Sequence, residues 1–154
     1  MERKMSHTYV RLIVHAVFST KKRLPYLVEN CRDEVFSYMG GILREIKSDS
    51  LAINGAADHV HVVFRLPATL ALADVMKTLK SNSSKWIHEN RILKRAFGWQ
   101  RGYAAFSVSQ SNLERVLQYV ANQSEHHRKV SFQDEIRALL TLHGIEYDER
   151  YLWD

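Results

Sequence analysis

Cysteine is nearly absent from this 154-residue sequence, and long apolar segments are missing. The single cysteine, Cys31, excludes a disulfide within the chain and a zinc site built from several thiolates. No apolar run approaches the ~20 residues that cross a bilayer, and the first residues lack the apolar centre of a signal peptide. We therefore expect a soluble cytoplasmic protein with no membrane partner.

Several common functional motifs are also missing. The sequence has no P-loop, no glycine-rich dinucleotide fingerprint and no spacing typical of a nucleophile elbow. It contains neither an internal repeat nor a low-complexity linker. A chain of this length buries roughly two-thirds of its unfolded surface, so its core needs no disulfide or metal. We predict a single domain over residues 1–154.

Positive charge is concentrated in two short segments. Lys and Arg outnumber Asp and Glu by 22 to 17, for a formal net charge of +5. Residues 77–101 hold seven basic residues and one acidic residue, and residues 21–23 are all basic. A solvated helix face would explain any one lysine, but Trp86, Trp99 and Tyr103 add rings that can stack on unpaired bases. The candidate DNA contacts are Lys21, Lys22, Arg23, Lys77, Lys80, Lys85 and Arg101.

The predicted secondary structure has the order strand, helix, strand, strand, helix, strand, followed by two helices. The predicted strands are Thr8 to Thr20, Leu51 to Ala56, His59 to Leu66, and Ala104 to Val108. The predicted helices are Val28 to Lys47, Leu70 to Asn90, Asn112 to about His127, and a last one from its Ser131 cap to about His143. This β-α-β-β-α-β order predicts an α+β, ferredoxin-like antiparallel sheet. We expect helices on one face of that sheet and a second face that is free to bind a ligand.

Two histidines alternate on the third predicted strand. His59 and His61 are two residues apart, so their side chains point to the same face of the sheet. Val60, Val62 and Phe64 then form the opposite, apolar face. The two imidazoles could share a divalent cation, although an isolated pair of this kind more often consists of half-exposed histidines without a metal.

A tyrosine and a glutamine share one face of the seventh predicted element. Tyr119 and Gln123 are four residues apart, one helical turn, beside an apolar stripe that includes Val116 and Val120. A tyrosine at such a position is most often a packing residue, and a glutamine there is usually solvated. A phenol can nevertheless act as a nucleophile, and an amide oxygen can complete the ligand shell of a hard cation.

The histidine pair, the tyrosine–glutamine pair and their flanking segments resemble the motifs of a known protein family. The segment 58–63, Asp-His-Val-His-Val-Val, resembles the His-hydrophobic-His (HUH) motif of the small single-strand DNA transposases of bacterial and archaeal insertion sequences. The segment 119–123, Tyr-Val-Ala-Asn-Gln, is similar to their Tyr-x-x-x-Gln motif. The likeness covers nearly the whole chain and includes the segments 19–23, 80–86, 99–108, 122–127 and 144–154.

The resemblance implies a mechanism. His59, His61 and Gln123 would hold Mg²⁺ or Mn²⁺, and Tyr119 would attack the DNA to form a 5′-phosphotyrosine and a free 3′-OH. The implied substrate is single-stranded DNA with a hairpin near each element end. The implied assembly is a homodimer with shared active sites, in which the histidines of one subunit meet the tyrosine helix of the other. Such an enzyme would work in the prokaryotic cytoplasm, at the nucleoid.

Three other interpretations remain open at this point. A non-catalytic ferredoxin-like module that binds nucleic acid would explain the fold and the charge, but not the two pairs. A metal-dependent phosphodiesterase would use water rather than tyrosine as the nucleophile. A domesticated relative that processes repeat hairpins would share the chemistry without the mobile role.

Overall fold

A four-stranded antiparallel sheet organises the chain. The computed structural model describes residues 7–93, 96–123 and 129–153. The strands β1 (Ile13–Ser19), β2 (Ser50–Gly55), β3 (His59–Arg65) and β4 (Ala104–Val108) lie in the order β2-β3-β1-β4. The helices are α1 (Glu29–Glu45), α2 (Leu72–Glu89), α3 (Leu113–Ala121), α4 (Phe132–Leu142) and α5 (Glu149–Leu152). The predicted ferredoxin-like order and α+β class are confirmed.

The main core lies between one face of the sheet and the first two helices. Alternate residues of β1 and β3 point to this face because side chains alternate along a strand. The buried residues of this core include Val14, Ala16, Phe18, Val60, Val62 and Phe64 from the sheet, with Val35, Met39 and Leu43 from α1 and Val75, Met76 and Leu79 from α2. The predicted apolar face of β3 is therefore confirmed.

The second face of the sheet is covered, not free as we expected. Val63 and Val108 pack there against Val120 at the end of α3, and Val17 packs against Phe132 of α4. The two helices that follow β4 thus bury the face that the ferredoxin-like pattern leaves open. This arrangement encloses His59 and His61 within the protein.

Several predicted boundaries shift where hydrogen-bonding partners end. The first strand begins at Ile13 rather than Thr8, because Ile13 pairs with Arg65 and Val108, the last residues of β3 and β4. Ser131 caps α4 as predicted, accepting a hydrogen bond from the backbone N–H of Asp134. The predicted end of the preceding helix near residue 127 lies outside the described residues.

No helix in the described ranges has the length and apolar character needed to span a membrane.

Candidate active site

Both histidines of the HUH segment lie on the covered face of β3, and both are completely buried. The rings of His59 and His61 meet edge to face, with their centroids 5.2 Å apart. Phe132 of α4 stacks on His59 with a centroid distance of 4.4 Å. The predicted common face is confirmed, whereas the alternative of two half-exposed histidines is wrong.

His59 is held through one ring nitrogen, and its other nitrogen faces the site. Its Nδ1 lies 2.8 Å from Oδ1 of Asp58, the preceding residue. Its Nε2 lies 3.3 Å from Oε1 of Gln123 and 3.6 Å from Oε1 of Glu135. An Nδ1–H that donates to Asp58 leaves the lone pair of Nε2 directed at these two oxygens.

His61 is held in the same way by a third histidine. Nδ1 of His61 lies 2.8 Å from Nε2 of His15 on β1, and its Nε2 lies 3.1 Å from Oε1 of Glu135. Burial, and then the proximity of His61, lowers the pKa of His15 to about 3. His15 is therefore neutral at physiological pH, and it holds the imidazole of His61 without adding charge.

The tyrosine and the glutamine meet the histidines through a glutamate. The Tyr119 hydroxyl donates a hydrogen bond to Oε2 of Glu135. The side-chain N–H of Gln123 donates to the same oxygen at 3.3 Å, while its Oε1 faces His59. Burial, followed by the hydrogen bond to Glu135, raises the pKa of Tyr119 above its ordinary value, so the phenol is protonated in this arrangement.

Sequence reasoning missed Glu135, a buried carboxylate on α4. It belongs to the buried side of that helix, whose other buried residues are Phe132, Ile136 and Leu140. The available signal was its spacing, because a glutamate three residues after one apolar position and directly before another lies on the apolar face of a helix. Sequence reasoning also gave His15 no partner, and it interpreted Asp58 as a turn residue rather than a ligand.

The donor set suits a divalent cation. One ligand atom from each of His59, His61 and Glu135 can be chosen so that all lie within 4.8 Å of one another. Gln123 adds an amide oxygen to the same pocket. Imidazole nitrogens together with carboxylate and amide oxygens are ligands that Mn²⁺ and Mg²⁺ accept.

Five of the seven predicted DNA contacts line one cavity of about 900 Å³, together with Trp99, Tyr103 and Trp153. These five are Lys21, Lys22, Lys77, Lys80 and Arg101. Arg23 instead lies over the Trp153 ring, 5.4 Å from its centroid. Lys85 extends from α2 into solvent and is 3.8 Å from Glu89.

Lys80 differs from the other lysines of this cavity. Its ammonium donates to the backbone carbonyls of Gln100, Arg101 and Gly102 at 2.7, 3.1 and 2.9 Å. It is half-buried, and burial lowers its pKa to about 8. Lys80 thus braces the loop that carries Arg101 and Tyr103, which leaves the exposed Lys77 better suited to contact a phosphate.

Comparison with known proteins identifies the family of this chain, which is a class of enzymes that act on DNA. The model of the family "Transposase IS200 like" matches residues 8–123. This chain therefore belongs to the IS200-like transposase family, whose members cleave DNA. The resemblance drawn from the sequence is confirmed.

Curated relatives and solved structures agree with this assignment. The chain is 26% identical over 130 residues to the transposases for insertion sequence element IS200 of Salmonella typhimurium and Salmonella typhi, covering 80% of this chain and 84% of theirs. The "putative transposase" of Deinococcus radiodurans R1 has the same fold, with a TM-score of 0.63, 23% identity, and coverage of 79% of this chain and 98% of that one. A REP associated tyrosine transposase bound to a REP hairpin matches with a TM-score of 0.60 and 14% identity, over 84% and 76% of the two chains.

Proposed function

We propose that this chain cuts and rejoins single-stranded DNA at hairpin-bearing ends, with Tyr119 as the nucleophile. The observation that carries the proposal is the shared carboxylate of Glu135. The Tyr119 hydroxyl bonds to one of its oxygens, and Nε2 of His61 lies 3.1 Å from the other. The proposed nucleophile and a proposed metal ligand therefore contact the same carboxylate.

The proposed step exchanges one phosphodiester for another. The Tyr119 oxygen attacks the phosphorus, the bond from phosphorus to the 3′ oxygen breaks, and a 5′-phosphotyrosine forms. The net reaction transfers the phenolic proton of Tyr119 to the released 3′ oxygen, which becomes a hydroxyl. A 3′-OH from another strand later attacks the phosphotyrosine, which rejoins DNA and returns the proton to Tyr119 without water or an external energy source.

His59, His61 and Gln123 are the proposed ligands of Mg²⁺ or Mn²⁺. When bound, the ion would polarise the scissile phosphate and offset the charge that develops on it. Asp58 and His15 hold the two imidazoles by their Nδ1 atoms, which directs both Nε2 atoms into the same pocket. The burial of both histidines keeps competing water away from these nitrogens.

The cavity between α2 and the 97–103 loop is the proposed site for the DNA backbone. Its exposed lysines can neutralise phosphates, while the rings of Trp99 and Tyr103 can stack on unpaired bases. Because the REP associated tyrosine transposase of similar fold is bound to a REP hairpin, hairpin DNA is the first substrate to test. We infer that the enzyme acts in the prokaryotic cytoplasm, at the nucleoid.

A labelled hairpin oligonucleotide tests the nucleophile. A single-stranded substrate carrying a hairpin is incubated with protein and Mg²⁺, then separated under denaturing conditions. A label at the 3′ end should move with the protein, because the 5′ phosphate of that fragment is joined to tyrosine. A label at the 5′ end should appear on a free fragment that ends in a 3′-OH. The Tyr119→Phe variant should form no adduct and should still bind the hairpin.

Tyr38→Phe is the matched control, because Tyr38 is exposed on α1 and stacks on Trp86 outside the site. It should form the adduct at the normal rate. Cleavage by Tyr119→Phe at full rate would support water as the nucleophile, as in a phosphodiesterase. Hairpin binding with no cleavage by the unmodified protein would support a binding module. Whether the protein moves an element or processes resident hairpins is decided by strand transfer to a second DNA.

We also propose that the protein acts as a homodimer with shared sites, as the resemblance implies. In the structure, one chain supplies His59, His61, Tyr119 and Gln123 to the site. A shared site would keep this arrangement around β3 and Glu135 but take Tyr119 and Gln123 from α3 of the other subunit.

A further inference from the structure

Glu135 has a distinctive position among the acidic residues of the structure. It is 2% exposed, and its side chain extends from α4 into the pocket between β3 and α3. Its neighbour Asp134 is exposed and pairs with Arg137 at the surface, 3.1 Å away. A carboxylate is almost never buried unless other groups compensate for the loss of water. The groups that compensate for the burial of Glu135 therefore indicate what its carboxylate does.

The two oxygens of Glu135 face different partners. Oε1 lies 3.1 Å from Nε2 of His61 and 3.6 Å from Nε2 of His59. Oε2 accepts hydrogen bonds from the Tyr119 hydroxyl and from the amide of Gln123. One oxygen is thus directed at the metal-binding nitrogens, and the other at the nucleophile.

The chemistry of the pocket favours a carboxylate as a ligand. Two imidazoles alone form a nitrogen site that suits zinc or copper, whereas Mg²⁺ and Mn²⁺ prefer oxygen ligands. Gln123 supplies one neutral oxygen, and Glu135 would add an anionic oxygen beside it. The combined set has two nitrogens, two oxygens and one negative charge, which is better matched to a hard divalent cation.

We propose that Glu135 is a fourth metal ligand, supplied by α4, and that the same carboxylate positions the Tyr119 hydroxyl next to the ion. This inference rests on the proposed metal-assisted function and adds a ligand from a helix outside both sequence motifs. Ion binding and the placement of the nucleophile are then coupled through a single side chain.

Manganese binding to the full-length protein, without DNA, tests the proposal. The amount of bound Mn²⁺ is measured from the loss of the EPR signal of the free ion, and the affinity by calorimetry. Glu135→Gln keeps the shape of the side chain and an oxygen that can accept from Tyr119, but it loses the anionic ligand. We expect it to weaken Mn²⁺ binding by at least about tenfold. Mn²⁺ should raise the melting temperature of the unmodified protein, and this rise should be smaller for Glu135→Gln.

Asp134→Asn is the matched control, because it removes the same charge from the next position of α4, at the surface. It should leave the Mn²⁺ affinity unchanged. Without metal, Glu135→Gln should melt at or above the temperature of the unmodified protein, because it removes a buried charge. A lower melting temperature would indicate instead that the carboxylate serves the fold.

Two further results separate this inference from the proposed function. If Gln123→Ala weakens Mn²⁺ binding and Glu135→Gln does not, the fourth ligand is refuted while the metal-assisted reaction stands. If the unmodified protein binds no Mn²⁺, both proposals fail together. Tyr119→Phe should bind Mn²⁺ normally, because the phenol is not a ligand in this assignment.

Discussion

Asp58 and His15 fix the imidazoles of His59 and His61 in complementary ways. Each contacts an Nδ1 atom at 2.8 Å, so that the Nε2 atoms of His59 and His61 face the same pocket. The two supports differ in charge, because Asp58 is a carboxylate whereas burial keeps His15 neutral. The carboxylate should therefore affect the basicity of its histidine more than His15 affects that of His61.

Asp58→Asn should lower the affinity for Mn²⁺ by about tenfold, the lower end of the usual effect of removing a group that supports a ligand. The amide can still accept a hydrogen bond from His59, but it lacks the charge that makes the imidazole a stronger ligand. Asp33→Asn, at an exposed position of α1, is the control. Equal affinities of the two variants in a calorimetric titration would show that Asp58 acts only in the turn.

The sequence predicted the positions of His59 and His61 in the site but not that of Glu135. The common face of His59 and His61 follows from the two-residue period of a strand, which depends on local structure alone. Glu135 joins them only after α4 docks across the sheet, and no local pattern specifies that docking. The sequence therefore predicted the shared face of two histidines in one strand better than the carboxylate that a distant helix brings to them.

The β2–β3 hairpin holds the histidines on a tightly packed turn. Gly55 is the last residue of β2 and pairs with Val60. The backbone N–H of the next residue, Ala56, donates a hydrogen bond to the carbonyl of His59 at 3.1 Å. A Cβ on Gly55 would lie 2.2 Å from the His59 carbonyl oxygen and 2.9 Å from Cα of Val60. Because both contacts are with backbone, the clash cannot be relieved by a side-chain rotation.

Gly55→Ala should therefore destabilise the protein by about 1–3 kcal/mol, as overpacking does elsewhere, and displace His59. Gly102→Ala is the control, because a Cβ at Gly102 would meet no atom within 4 Å. Urea unfolding of the two variants measures the difference. Equal stabilities would mean that the turn can open without cost, which the paired register of the hairpin argues against.

Among the helices and strands, boundaries marked by nearby residues, such as a capping serine, were predicted correctly. Ser131 caps α4 through the N–H of Asp134, and β4 has the bounds that its apolar pattern gave. The start of β1 was predicted too early, because the register with β3 and β4 begins at Ile13, preceded by one backbone bond from Leu66 to the Leu12 carbonyl. Strand ends depend on partners that are distant in sequence, and composition alone does not define them.

The covered sheet face separates His59 and His61 from solvent. A ferredoxin-like sheet with an open face would present His59 and His61 to solvent, where they could bind nucleic acid directly. Here α3 and α4 enclose them, and five of the seven candidate DNA contacts line a separate cavity beside α2. In the proposed function, DNA binding and strand chemistry would therefore involve different surfaces, and a strand bound at the cavity would have to extend to reach Tyr119.

Two reciprocal heterodimers determine how many chains build one site. The first joins a Tyr119→Phe chain to a His61→Ala chain, with a different tag on each so that only heterodimers are purified. If sites are shared, one of its two sites has intact histidines and an intact tyrosine, and adduct formation should recover towards half of the normal amount. If each chain builds its own site, both sites are defective.

The second heterodimer joins an unmodified chain to a chain with both substitutions. If sites are shared, both of its sites are defective, and if each chain builds its own site, the site of the unmodified chain is intact. We expect the first heterodimer to be active and the second inactive; the opposite result would assign the working site to a single chain, in the arrangement that brings Tyr119 and His61 to Glu135 of the same chain.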